Sequence, residues 1–166
     1  MMTLYIKSKV YENIRRDLQR PHPYAAERVG FVFVKSINNK LEVTEYMTVP
    51  DKFYIKDPSV GASINHQAIS TAMMRAFKTK EGILQVHEHG GYGIPRFSKT
   101  DIKSHPDFLQ SFRNAHSKGI HGFILLSKDR VLTRYWPVGQ SNYLDTANVT
   151  IIGDSWWQRL WRWVGL

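Results

Sequence analysis

Two β-rich runs, GFVFVKS at residues 30–36 and LEVTEYMTV at 41–49, are separated only by Ile37-Asn38-Asn39-Lys40. Asn tolerates the left-handed backbone that a tight turn demands, so the two runs read as an antiparallel hairpin. This constrains the rest of the chain, because a hairpin must bury one face against further strands or helices. Residues 3–6 (TLYI) supply a short strand. Val10, Ile14 and Leu18 recur every four residues and predict an amphipathic helix over 8–20, ended by Pro21 and Pro23. FYIK (53–56) reads as another strand. Residues 63–79 read as a helix, with Ile64, Ile69, Met73 and Phe77 down one side. Gly82 breaks that pattern and ILQVHEH follows as a strand. After the loop GGYGIPRF, Ser98 starts a short helix, and a separate helix is expected over Asp107–His116, with Pro106 at its first turn. GIHGFILLS and RVLTRYWPV form a second hairpin around Lys128-Asp129, and NVTII a last strand. Strands alternating with helices, together with paired hairpins, predict an α/β fold whose sheet is mixed, mainly antiparallel and flanked by helices.

The chain has 166 residues, 42% apolar and 22% charged, as expected of one soluble globular domain. No internal repeat or linker divides it, and the expected domain covers 1–153. The start lacks an apolar core followed by a small-residue cleavage site, and no run approaches the ~20 apolar residues that cross a bilayer. The expected location is therefore the cytoplasm. With no Cys, disulfides and thiolate metal sites are excluded, so a metal would need His, Asp or Glu. The net charge of +9 suits an acidic partner, but Lys and Arg are scattered and no nucleic-acid-binding signature accompanies them. Nucleic acid is not expected as a partner.

His87-Glu88-His89 closes the apolar strand ILQVHEH. Side chains alternate along a strand, so His87 and His89 share a face and Glu88 takes the other. Two imidazoles on one face can reach one ion at ~2.0–2.1 Å. Asp101, in the first turn of the helix after the loop, is placed to be a third ligand. Two His and a carboxylate leave a zinc position open for water, the pattern of a catalytic rather than a structural site. By itself His-x-His is equally compatible with two exposed strand residues. The remaining histidines, His22, His66, His105, His116 and His121, share no ligand spacing and are expected to be structural or solvent-facing.

Further pattern accompanies the pair: Ser98-Lys99-Thr100-Asp101 downstream, and Glu27-Arg28-Val29-Gly30 leading into the apolar strand upstream. In this combination the sequence resembles the JAB/MPN family of zinc metallopeptidases, the JAMM proteases, whose pattern is Glu before a Gly and an apolar strand, then His-x-His, a loop, and Ser-x-x-Asp. The matched features extend from about residue 23 to 101. Two positions depart from the family: Gly90 stands where Pro usually follows the second His, and the loop to Ser98 is about one residue longer. The resemblance implies that His87, His89 and Asp101 hold Zn²⁺. It implies Glu27 as the base that takes a proton from the attacking water and returns it to the leaving amine, and Ser98 as a donor to the oxyanion. Read from the residues alone, Glu27 is also compatible with a surface glutamate and Ser98 with a helix N-cap.

The same resemblance implies cleavage after the C-terminal Gly of a ubiquitin-like modifier, by deconjugation from lysine or by maturation, within a bacterial modification system of the antiviral kind. Partners would then be the modifier and its activating or conjugating enzymes. Other readings are a non-enzymatic MPN-type scaffold, a basic nucleic-acid binder, or a peptidase acting on an unrelated peptide such as one in phage tail assembly. In the tail, Ser155-Trp156-Trp157-Gln158 has the form of a capping box. Trp156, Trp157, Leu160, Trp161 and Val164 share a helical face, so 154–166 reads as an amphipathic helix. It would dock on its own domain, bind a partner or a second copy, or lie on a membrane surface.

Overall fold

A computed structural model describes residues 1–153; the tail helix expected at 154–166 lies outside the described residues. The chain is a mixed α/β structure built on one eight-stranded curled sheet and three α-helices. Its strands are β1 (Thr3–Lys7), β2 (Val29–Ile37), β3 (Lys40–Thr48), β4 (Gly82–Glu88), β5 (His121–Leu126), β6 (Val131–Trp136), β7 (Leu144–Thr146) and β8 (Val149–Ile152). The helices are α1 (Ser8–Leu18), α2 (His66–Thr79) and α3 (Lys99–Ala115). The sheet order is β7-β6-β5-β4-β2-β3-β1-β8. The pairs β2–β3, β2–β4, β5–β6 and β6–β7 are antiparallel, while β1–β3, β1–β8 and β4–β5 are parallel.

Both expected hairpins form. Asn38 and Asn39 turn the first with φ of 47° and 61°, the left-handed conformation for which Asn is suited. Alternation along the central strands separates two cores. Val32, Val34, Leu84, Val86 and Ile124 face α1 through Ile14 and Leu18. Phe31, Phe33 and Ile83 face the opposite way, toward α2 and Phe112 of α3. The layers are thus one helix, the sheet, and two helices.

Five local expectations are corrected. FYIK is not a strand: Asp51–Phe53 is a single 3-10 turn, and 53–56 contributes only an isolated bridge, Tyr54 to Ile64. The Tyr54 side chain is drawn inward, where its hydroxyl binds both Val29 N–H (2.9 Å) and Val29 C=O (3.2 Å). The first helix stops at Leu18, short of residue 20, since the approach to Pro21 disfavours helical backbone. The second begins at His66, not 63, because Asn65 caps it by accepting Gln67 and Ala68 N–H. Its inward face is Ala68, Ala72 and Ala76 instead of the line through Phe77, which is 58% exposed under the Lys80 ammonium. Small residues let the helix approach the sheet closely, which a search for large apolar residues overlooks. The expected pair of helices around Pro106 is one continuous α3. The ring forfeits one backbone bond, but buried His105, Leu109 and Phe112 anchor the helix on both sides of it. β7, three residues long, was not expected at all.

Candidate metal centre

β4 delivers the two imidazoles. His87 and His89 lie on the α2/α3 side of the sheet, and Glu88 on the other side, where it pairs with Arg15 at 3.2 Å. The His89 N–H donates to Leu126 C=O (2.9 Å), tying the end of β4 to β5. In the antiparallel β2–β4 ladder Val29 stands opposite His87. Continuing that register by two residues brings Glu27 opposite His89, and its Oε1 lies 3.6 Å from His89 Nε2. The segment before Glu27 is anchored by Arg28. This buried guanidinium donates to Arg20 C=O and Pro21 C=O and pairs with Asp51 at 2.7 Å.

Asp101 arrives from a different element. Ser98 is the N-cap of α3, its hydroxyl accepting from Asp101 N–H (3.1 Å) while its own N–H donates to Asp101 Oδ2 (2.6 Å). This capping box fixes the carboxylate. Asp101 Oδ1 lies 3.4 Å from His87 Nε2, and Oδ2 lies 3.6 Å from His89 Nε2. Burial pushes the Asp101 carboxyl up, but the His87 imidazole and the Ser98 hydroxyl and N–H outweigh it and hold the group well below the usual carboxylate range.

These distances test whether an ion fits. Two atoms bound to a tetrahedral zinc at ~2.1 Å are about 3.4 Å apart; His87 Nε2 lies 3.4 Å from Asp101 Oδ1, while His89 Nε2 lies 3.6 Å from the other Asp101 oxygen and 3.6 Å from Glu27 Oε1. His87 Nε2 is also buried with no hydrogen-bond partner among the described residues. An orphaned ring nitrogen facing carboxylate is costly unless a cation lies between them. One ligand atom from each of Glu27, His87 and His89 lies within 4.8 Å of the others, a group able to hold a metal. Asp101, the third ligand expected from the sequence, lies outside that group: its Oδ1 approaches His87 and its Oδ2 approaches His89, while Glu27 comes within ion-pair distance of His89. The donor set, two imidazoles and carboxylate without thiolate, is one that a divalent ion such as zinc or iron(II) accepts.

All five residues singled out from the sequence, Glu27, His87, His89, Ser98 and Asp101, line one cleft of about 700 Å³. Among the described residues its lining includes no Lys or Arg, although the chain as a whole is strongly basic. The loop after His89 bends through Gly91 (φ 101°) and Gly93 (φ 82°) and is pinned to the β5–β6 turn. Ser127 Oγ donates to Gly93 C=O (2.7 Å), and Gly93 N–H donates to Asp129 (2.7 Å).

Gly61 was not singled out from the sequence. Its C=O accepts the Glu27 N–H at 2.9 Å. A Cβ added there would stand 2.7 Å from Glu27 Cδ and Oε2, so the glutamate carboxylate rests against the bare Cα. A lone Gly in a polar loop carries no signal of such a contact. The other histidines are structural, as expected, where their contacts are defined. His105 stacks on Phe123 with centroids 3.7 Å apart. His121 accepts from Ile83 N–H at Nδ1 (3.1 Å) and contacts His116 C=O through Nε2 (2.8 Å). No protein-family model and no curated protein matches the chain.

Proposed function

We propose that this chain is a zinc-dependent peptidase of the JAB/MPN type that cleaves the amide following the C-terminal Gly of a ubiquitin-like modifier. The observation that carries the reading is the convergence of His87 and His89 with two carboxylates, Glu27 and Asp101, whose oxygens lie 3.4–3.6 Å from the imidazole nitrogens. His87, His89 and Asp101 would hold the ion. When bound, zinc supplies Lewis-acid polarisation of the scissile carbonyl and of the attacking water.

The chain's own groups do the rest. Glu27 faces the His89 imidazole through Oε1 and rests against Gly61, and its carboxylate lines the metal cleft. It takes a proton from the water and later gives it to the leaving amine. Ser98 accepts from Asp101 N–H through a lone pair, so its O–H remains to donate to the oxyanion. A cleft whose lining has no Lys or Arg among the described residues suits a neutral peptide or a lysine isopeptide better than an anionic nucleic acid, which supports the peptidase over the nucleic-acid binder.

The test is cleavage of a modifier–peptide fusion by the zinc-loaded protein. Glu27→Ala should bind zinc as before and lose hydrolysis by a factor of ~10² or more. Unchanged cleavage by that variant would remove Glu27 from the mechanism. Zinc bound without cleavage of any modifier fusion would favour the scaffold reading.

A further inference from the structure

On the face of β4 that carries His87 and His89, the next residue inward is Gln85. Its ladder neighbours are Phe31 on β2 and Phe123 on β5, both fully buried. Ile83 precedes it on the same face, also fully buried. The fold therefore has an apolar site at this point and a glutamine in it. Gln85 is 8% exposed, and its carboxamide makes no hydrogen bond among the described residues. What remains exposed opens into the metal cleft, which Gln85 lines together with Ile64, Ser104 and Phe108. Burying most of a glutamine costs more than burying a Leu or Met of similar volume. Nothing in the packing requires the polar group.

We propose that Gln85 is a specificity-determining residue of the cleft, whose carboxamide pairs with a backbone amide of the peptide substrate next to the scissile bond. A carboxamide offers donor and acceptor together, which is the complement of a peptide group. The apolar walls of Ile64 and Phe108 exclude water around that pair and strengthen it. Among the described residues no Lys or Arg lines the cleft to attract a carboxylate or a phosphate. The inference deepens the peptidase reading and rests on it. It adds a contact that selects extended, uncharged backbone, consistent with a Gly-rich tail.

The test uses the full chain loaded with zinc and carrying Glu27→Gln, so that the probe stays intact. The probe is fluorescein-Ala-Ala-Gly-Gly joined to the ε-amine of acetyl-lysine amide, with two analogues in which one upstream amide N–H is replaced by an ester oxygen. Gln85→Met should keep the zinc content and an equal or higher melting temperature, and weaken binding of the amide probe about tenfold. One ester should bind about tenfold more weakly than the amide to the Gln85 protein and nearly equally to the Met variant, the non-additivity of a direct contact. Gln85→Leu repeats the measurement should Met pack poorly. Equal affinity of the Gln85 protein and both variants for the amide probe would overturn the inference alone, provided the protein with Glu27 intact cleaves the peptide. Zinc binding with neither peptide binding nor cleavage would overturn both the inference and the peptidase reading.

Discussion

Replacing Gly61 with Ala separates the placement of Glu27 from the stability of the fold. The added methyl would lie 2.7 Å from Glu27 Cδ and Oε2 and 3.1 Å from Oε1, where ordinary contact begins at 3.4 Å. The carboxylate must therefore retreat by about 0.7 Å, and being the end of a flexible side chain it can do so without moving backbone. Gly61 does not occupy the left-handed region, so Ala is not strained there and should change stability by no more than ~1 kcal/mol, if anything upward. Proton transfer is far less tolerant: a displacement approaching 1 Å costs on the order of 10²-fold. The expected outcome is an unchanged melting temperature and zinc content, with kcat lowered by ~10–10². In a Glu27→Gln background the same substitution should add almost nothing, because the group it misplaces is already inert. Wild-type kcat for Gly61→Ala would refute the reasoning, as would an equal loss in the presence and absence of Glu27.

Removing ligands should show in heat before it shows in turnover. His87→Ala and Asp101→Ala should abolish the rise in melting temperature that zinc gives the unsubstituted protein, while Glu27→Gln should keep it. Stability should also fall with acid. Burial pushes His121 down to about 4 from 6.5, and its Nδ1 is already occupied by the Ile83 N–H. The unfolded chain therefore binds the proton more readily between those values. This contribution is fully present above about pH 6.5 and is lost as pH falls toward 4, to the extent of about 3 kcal/mol. His105, held down to about 4 by burial and by Arg134, acts in the same sense. His121→Asn should be less stable near neutrality but flatter over pH 4–6.5 by urea denaturation, and an unchanged slope would contradict the assignment. Arg75→Ala should destabilise by ~3 kcal/mol, because it leaves Glu81, 4% exposed and bonded to Arg75 at 2.5 Å, without its principal counter-charge. Equilibrium unfolding reads that loss directly.

The parts of this protein legible from sequence are those whose cause is local. Asn38-Asn39 states its own backbone conformation, so the hairpin and its register follow. His-x-His states that two imidazoles share a strand face, and Ser98-x-x-Asp101 states a capping box, so both halves of the cleft are visible in short windows. The convergence of Glu27 with His89 is encoded less directly, through the register of β2 on β4. The illegible parts depend on what packs from elsewhere. FYIK has strand composition, but the Val29 backbone captures Tyr54. Pro106 argues for a break, yet the helix runs through it because buried side chains on either side outweigh one missing bond. Gly61 and Gln85 look unremarkable in sequence, because their meaning lies in the carboxylate and the cleft that tertiary structure sets beside them.

Charge sharpens the same division between local and assembled features. Summed along the chain, +9 suggests an anionic partner, yet the cleft gathers Glu27, Asp57 and Asp101 and no Lys or Arg. Some basic groups elsewhere are committed to structure: Arg28 to Asp51, Arg75 to Glu45 and Glu81, Arg134 to Asp145. Within the cleft the Asp101 carboxyl is held well below the usual carboxylate range, its anion favoured by His87 and by the Ser98 hydroxyl and N–H despite burial. A divalent ion held there would place positive charge among acidic groups that no described Lys or Arg of the lining neutralises, and on the proposed peptidase reading the same charge would polarise the scissile carbonyl.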